Sequence, residues 1–119
     1  VLEATIARAP LPPARLLAWL GAAIGPRHFE VGPEVRDAFV APLPAAADAF
    51  RPGRGDRWHA DLYALARLRL AQEGLTRVHG GGLCTYADAA RFYSFRREPD
   101  GGRMATLIWR SAGTQALPD

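Results

Sequence analysis

Twelve glycines and ten prolines divide this chain so finely that few stretches remain for long regular elements. Proline lacks a backbone N–H and fixes φ, and glycine opens turns closed to other residues, so each cluster of the two marks an element's end. The opening stretch reads as helix interior, with Val1, Leu2, Thr5, Ile6 and Ala9 on one side. Pro10-Leu11-Pro12-Pro13 ends it. Leu16 to Ile24 is a continuous apolar run that fits a strand buried on both faces, although a short buried helix has the same signature. After the Gly25-Pro26 stop, Gly32-Pro33 opens a helix with Val35, Ala38 and Phe39 facing inward. Residues 41–57 read as a surface loop holding one short helix. Trp58 to Glu73 is the longest helical pattern, with Leu62, Leu65, Ala66, Leu68, Arg69 and Ala71 at helical spacing and Gly74 as the C-cap. Leu75 to Val78 reads as a short strand leading to Gly80-Gly81-Gly82. Phe92–Phe95 and Met104–Trp109 read as two strands joined through Pro99-Asp100-Gly101-Gly102. The sum is an α+β architecture, a mixed sheet flanked by helices.

A chain of 119 residues fits one domain, and 49% hydrophobic with 23% charged residues is the composition of a folded segment. All fifteen basic residues are arginine, yet the net charge is only +3 and no basic run exceeds two residues, which argues against a nucleic-acid surface. Cys84, the one cysteine, rules out an internal disulfide and fits a reducing compartment. No apolar run approaches the roughly 20 residues that span a bilayer. With no membrane segment and no leader pattern, cytoplasmic residence is the expectation. The first helix starts without a Ser, Asp or Asn to cap it, as if in mid-element. The tail from Ser111 to Asp119 is polar and is expected to fray.

Several short motifs lack their necessary companions. His28-Phe29-Glu30 matches half of a zinc deaminase signature, but one cysteine cannot supply the other half. His79-Gly80-Gly81-Gly82 resembles an oxyanion loop without a nucleophile elbow. The histidines at 28, 59 and 79 have no metal-ligand spacing. Cys84 follows a Gly-rich turn where a ligand could approach, but a nucleophilic thiol needs a lowered pKa, and a buried structural cysteine fits the pattern better. The arginines are more suggestive. Arg27 follows a Gly-Pro stop, and Arg96, Arg97 and Arg103 flank the expected turn, where antiparallel pairing would set Arg103 across from Arg96 or Arg97. Guanidinium groups bind phosphate bidentately, so these four are candidate substrate-binding residues. Hairpin charges paired with Glu98 and Asp100 satisfy the spacing equally well.

Three stretches together carry a family resemblance. They are Trp19-Leu20-Gly21-Ala22-Ala23-Ile24-Gly25-Pro26-Arg27-His28-Phe29-Glu30-Val31-Gly32-Pro33-Glu34-Val35-Arg36, then His59-Ala60-Asp61-Leu62-Tyr63-Ala64-Leu65-Ala66-Arg67. The third is Gly81-Gly82-Leu83-Cys84-Thr85-Tyr86 with Phe92-Tyr93-Ser94-Phe95-Arg96-Arg97 and Gly102-Arg103-Met104-Ala105. In this order they resemble the C-terminal part of laccase-domain proteins, first described as multicopper polyphenol oxidases and later as purine nucleoside phosphorylases. Phe95 stands where the family often has Tyr, and Gly101 where it usually has Thr.

The resemblance implies that residues 1–110 are the C-terminal part of one laccase-type domain with a fold like that of cytotoxic-necrotising-factor cysteine enzymes. It implies phosphorolysis of adenosine, inosine and methylthioadenosine, with adenosine deamination as an added activity and copper-dependent phenol oxidation as the alternative; a non-catalytic partner domain is a third reading. The family's catalytic Cys and two His, which hold zinc or copper, match no position here and belong upstream of Val1. Cys84 matches a different family cysteine. No catalytic residue and no metal ligand is therefore expected in this chain, which by itself would be inactive. The partners expected are a purine nucleoside, phosphate and the N-terminal part of the same protein.

Overall fold

The computed structural model describes residues 1–111; past Ser111, the tail expected to fray lies outside the described residues. Among the described residues, three α-helices, two 3-10 turns and five short strands alternate. Helix α1 spans Leu2–Arg8, α2 Pro33–Val40 and α3 Leu62–Gln72. Strands β1 (Ala18–Leu20), β2 (Glu30–Val31), β3 (Phe50–Pro52), β4 (Trp58–Ala60) and β5 (Val78–Gly80) form two sheets. One sheet is the parallel pair β1–β5 and the other is antiparallel in the order β2–β4–β3. The class is mixed α+β, with parallel and antiparallel sheets flanked by helices.

Helix α3 joins the two halves. Its first turn is capped by Asp61, whose Oδ1 accepts the Ala64 N–H at 3.0 Å. Its last turn closes in a Schellman motif: Gly74, at φ +83°, donates to Ala71 O, and Leu75 donates to Leu70 O. Leu65 packs with Val31, Ala46, Ala49, Phe50 and Ala60 over the three-stranded sheet. One turn on, Leu70 packs with Ile6 and Leu75 beside β1 and β5. Eleven residues of helix thus tie a sheet to each end.

Several elements differ from their sequence patterns. Trp58–Ala60 is strand, not helix, because its backbone pairs on both sides, with β2 and β3. Ala71, expected inward, is exposed, while Tyr63 and Leu70 are buried. Residues 41–57 hold the expected short helix, as the 3-10 turn Pro44–Ala49, but are not all surface loop: Ala46, Ala49 and Phe50 are core and Phe50–Pro52 is strand. In α2, Val35 and Phe39 reach the core with Val40, but Ala38 faces solvent. In α1 Leu2 and Ile6 make the apolar contacts with the rest of the chain, while Val1 and Thr5 are exposed.

The apolar run Leu16–Ile24 yields only the three residues of β1, with Leu17 and Trp19 about half exposed. It is not buried on both faces, because among the described residues β1 has a neighbour on one edge only. The expected hairpin is absent from the described residues as well. Phe92–Phe95 is turn and irregular chain, and Arg103–Ser111 has no ladder partner among the described residues. Arg103 consequently does not face Arg96 or Arg97 across paired strands. Leu107, Ile108 and Trp109 are each more than 70% exposed, so this β-rich segment has no apolar surface to lie against.

Candidate functional site

Alternation along β3 and β4 sorts their side chains onto two faces. The pair Phe50 and Ala60 joins the core, while the next row sets Glu30 of β2 opposite His59 of β4, and His59 opposite Arg51 of β3. An acid, an imidazole and a guanidinium therefore stand side by side on the outer face of the sheet. His59 Nδ1 lies 3.0 Å from Pro26 O; a carbonyl only accepts, so Nδ1 carries the proton of that bond. This bond holds the Gly25–Arg27 turn against the sheet. Glu30 accepts the Arg54 backbone N–H at 3.2 Å and lies 3.3 Å from Arg57 Nε. Those donors, the Arg54 N–H first, hold its carboxyl below the usual range against the opposing effect of burial.

Two clefts flank Pro26 and Arg27, with Asp61 common to both. One, of about 540 Å³, is lined by Pro26, Arg27, Asp48, Arg51, His59 and Asp61. The other, of about 480 Å³, is lined by Arg27, His28, Asp61, Tyr63, Gly82 and Cys84. Both volumes lie in the range of small-molecule sites. In the second cleft Tyr63 acts as a post: its hydroxyl accepts the Ala23 N–H at 2.8 Å and donates to Leu83 O at 2.7 Å. His28 stacks on Tyr86, with ring centroids 4.6 Å apart.

Cys84 Sγ accepts backbone N–H groups from Gly25 at 3.2 Å and Ala87 at 3.4 Å. Burial pushes the thiol up, but the N–H groups of Ala87, Gly25 and Tyr86 together more than offset it and hold the thiol below its ordinary value. No base stands among its hydrogen-bond partners in the described residues, so this geometry supports a turn held by sulfur more directly than an activated nucleophile.

The four arginines singled out by the sequence do not share one site. Arg27 lines both clefts beside Pro26. Arg96 lies over the Phe29 ring and donates to Glu30 O at 3.0 Å. Arg103 lies over the Phe95 ring and donates to Gly101 O and Gly102 O. Arg97 donates to three main-chain carbonyls, Thr85 and Phe92 among them, and so ties residues 85–97 into one loop. Arg96 and Arg103 each border a shallow groove containing Phe95 and Met104. Arg51 and Asp48 belong to no motif. Their one sequence signal is the alternation Phe50-Arg51-Pro52, too short to stand out as a strand.

Among the described residues no group of three or more His, Cys, Asp or Glu is arranged to hold a metal ion. His28, His59 and His79 sit on a loop, β4 and β5 respectively. Scattered in this way, they do not fit a zinc or copper centre. No helix among the described residues is long and apolar enough to cross a membrane.

Residues 1–111 match the family model for multi-copper polyphenol oxidoreductase laccase. A purine nucleoside phosphorylase of Pseudomonas aeruginosa is 57% identical over 110 residues, covering 92% of this chain and 46% of that protein. Another from Escherichia coli is 50% identical over 109 residues, covering 92% of this chain and 44% of its own length. The crystal structure of a Neisseria meningitidis protein superposes with a TM-score of 0.79 at 47% identity, over 82% of this chain and 40% of that one. The chain thus spans less than half the length of these relatives.

Proposed function

The chain belongs to the multi-copper polyphenol oxidoreductase laccase family, and from that premise we propose that it is the C-terminal part, residues 1–110, of a purine nucleoside phosphorylase. The observation that carries this reading is the 57% identity, sustained along 92% of the chain, to a protein named for that activity. In phosphorolysis, phosphate attacks the sugar carbon as the base departs, so the enzyme needs an anion site and a means of stabilising the leaving base. Arg27, in a cleft mouth, suits the first need. Arg96 and Arg103 would border the substrate from the neighbouring groove, and Arg97 would fix the loop behind them.

Adenosine, inosine and methylthioadenosine are the proposed substrates, and adenosine deamination a second activity. The leaving-base chemistry, with its Cys, two His and zinc or copper, is assigned to residues upstream of Val1. The isolated chain is accordingly expected to be inactive, and the proposed site of action is the cytoplasm.

The test is release of hypoxanthine from inosine by the full-length polypeptide, with and without phosphate. Phosphate-dependent release supports the reading. Copper-dependent oxidation of phenols without phosphorolysis, the activity in the family model's description, would replace it.

A further inference from the structure

Of the arginines that line clefts among the described residues, Arg69 (in a small cleft with Phe39 and Leu65), Arg91, Arg96 and Arg103 each hold a carboxylate or a carbonyl. Arg27 and Arg51 form no ion pair or side-chain hydrogen bond among the described residues, and both line the 540 Å³ cleft beside Pro26. Two exposed guanidinium groups on one concavity repel each other until an anion or carboxylate comes between them. The acids at hand do not close that gap. Asp61 Oδ1 caps α3 through the Ala64 N–H. Glu30 is taken up by Arg54 and Arg57. That leaves Asp48, on the 3-10 turn Pro44–Ala49, as a carboxylate on the cleft wall with no hydrogen bond among the described residues.

We infer that the cleft between the Gly25–Arg27 turn and the Asp48–Pro52 corner is a sugar-phosphate subsite, in which Arg27 and Arg51 take the phosphate and Asp48 takes sugar hydroxyls. A phosphate presents several acceptor oxygens to two planar forks of donors, and a carboxylate accepts from hydroxyls. The two wall types thus match the two ends of a pentose 1-phosphate, the product phosphorolysis would leave. His59 is a positioning residue. Its Nδ1–H holds Pro26 O, while its place opposite Arg51 in the β3–β4 register ties the turn to the strand, so it sets the spacing between the two guanidinium groups. This assignment deepens the proposed function and rests on it for the sugar half of the ligand.

The experiment is equilibrium titration of the full-length polypeptide with inorganic phosphate and, separately, with ribose 1-phosphate. Arg27→Gln and Arg51→Gln are each expected to weaken both ligands by about tenfold or more, from loss of a charge-assisted hydrogen bond. Asp48→Asn is expected to weaken ribose 1-phosphate while leaving inorganic phosphate within twofold. His59→Phe is expected to weaken both ligands, with Arg51→Lys weakening them less than Arg51→Gln. Arg51 and Asp48 are on the surface, and unchanged circular dichroism and melting would confirm that these variants fold. Phosphate affinity within twofold of wild type in both arginine variants overturns the subsite, even where phosphorolysis is intact. Conversely, phosphate binding lost in both variants of a protein without phosphorolysis keeps the anion site and sinks the proposed reaction.

Discussion

At the level of single residues, the Tyr63 hydroxyl and the Cys84 sulfur hold together loops distant in sequence. Tyr63→Phe would leave the Ala23 N–H and the Leu83 carbonyl without their shared partner. An unsatisfied, partly buried group costs about 1–3 kcal/mol, so the urea midpoint should fall by that equivalent at unchanged slope. A loss under about 0.5 kcal/mol would mean that water replaces the hydroxyl. For Cys84 the three N–H donors stabilise the thiolate, so the pH midpoint of its alkylation should lie below the ordinary thiol value of about 8.5. A midpoint at or above that value would show burial winning. Sequence marked Cys84 by its Gly-rich approach, but its donors come from residues 25, 86 and 87, and no local pattern reveals that convergence. Arg27 was legible from its Gly-Pro stop. Arg51 was not, because the strand that aims it is three residues long and carries a proline.

At the level of elements, α3 holds the fold, and its two ends test differently. Leu70 is 3% exposed between α1 and β5, so Leu70→Ala should cost about 2–5 kcal/mol by cavity formation. Gly74→Ala would place its Cβ in ordinary contact, 3.7 Å from Pro13 Cβ, but at a φ of +83°, and should cost about 1 kcal/mol through backbone strain. A Gly74 variant as damaging as the Leu70 variant, judged by denaturant midpoints, would contradict this division. Helix α1 docks on α3 through Ile6, Leu2 and the Glu3–Arg69 pair at 2.7 Å. Chiefly through its hydrogen bond from Arg69, Glu3 has a lowered carboxyl pKa in the fold. The unfolded chain therefore binds that proton more readily. The pair adds stability above the unfolded carboxylate pKa, about 4.3, and the gain is lost as pH falls through the lower folded value. Both side chains are more than a third exposed, so salt should weaken the effect. The melting-temperature gap between wild type and Glu3→Gln should narrow from about pH 6 to about pH 3; a constant gap would remove the ion pair from the account. Sequence periodicity found α1, α2 and the whole of α3, where the apolar stripe is local. It failed over Trp58–Ala60, where the strand exists only because β2 and β3 lie on either side, and over Met104–Trp109, whose β-rich composition has no neighbour to pair with among the described residues.

For the molecule as a whole, shape and surface agree on one expectation. The radius of gyration is 16.9 Å, against about 13.5 Å for a compact domain of this length. No side chain in the described residues is both large and fully buried, while Leu17, Trp19, Tyr93, Phe95, Leu107, Ile108 and Trp109 are all about half or more exposed. Each such Leu or Ile forgoes roughly 1.5–3 kcal/mol of burial, a large share of the about 5–15 kcal/mol that stabilises a typical domain. Where such side chains adjoin, exposed apolar surface marks an interaction face. The edge of β1 away from β5 and the 104–109 segment, both without a ladder partner among the described residues, offer main-chain groups for strand addition there. The part of the polypeptide that the relatives have and this chain lacks is the proposed cover. The isolated chain should therefore bind an apolar dye and unfold over a broad range. Trp19 and Trp109 are the reporters, being 47% and 77% exposed, whereas Trp58 already packs against the core. In a polypeptide extended by the upstream residues, dye binding should vanish and tryptophan emission should shift to the blue. Trp19→Phe and Trp109→Phe should each remove part of that shift. Dye binding and emission unchanged by the extension would show that this face serves some other contact.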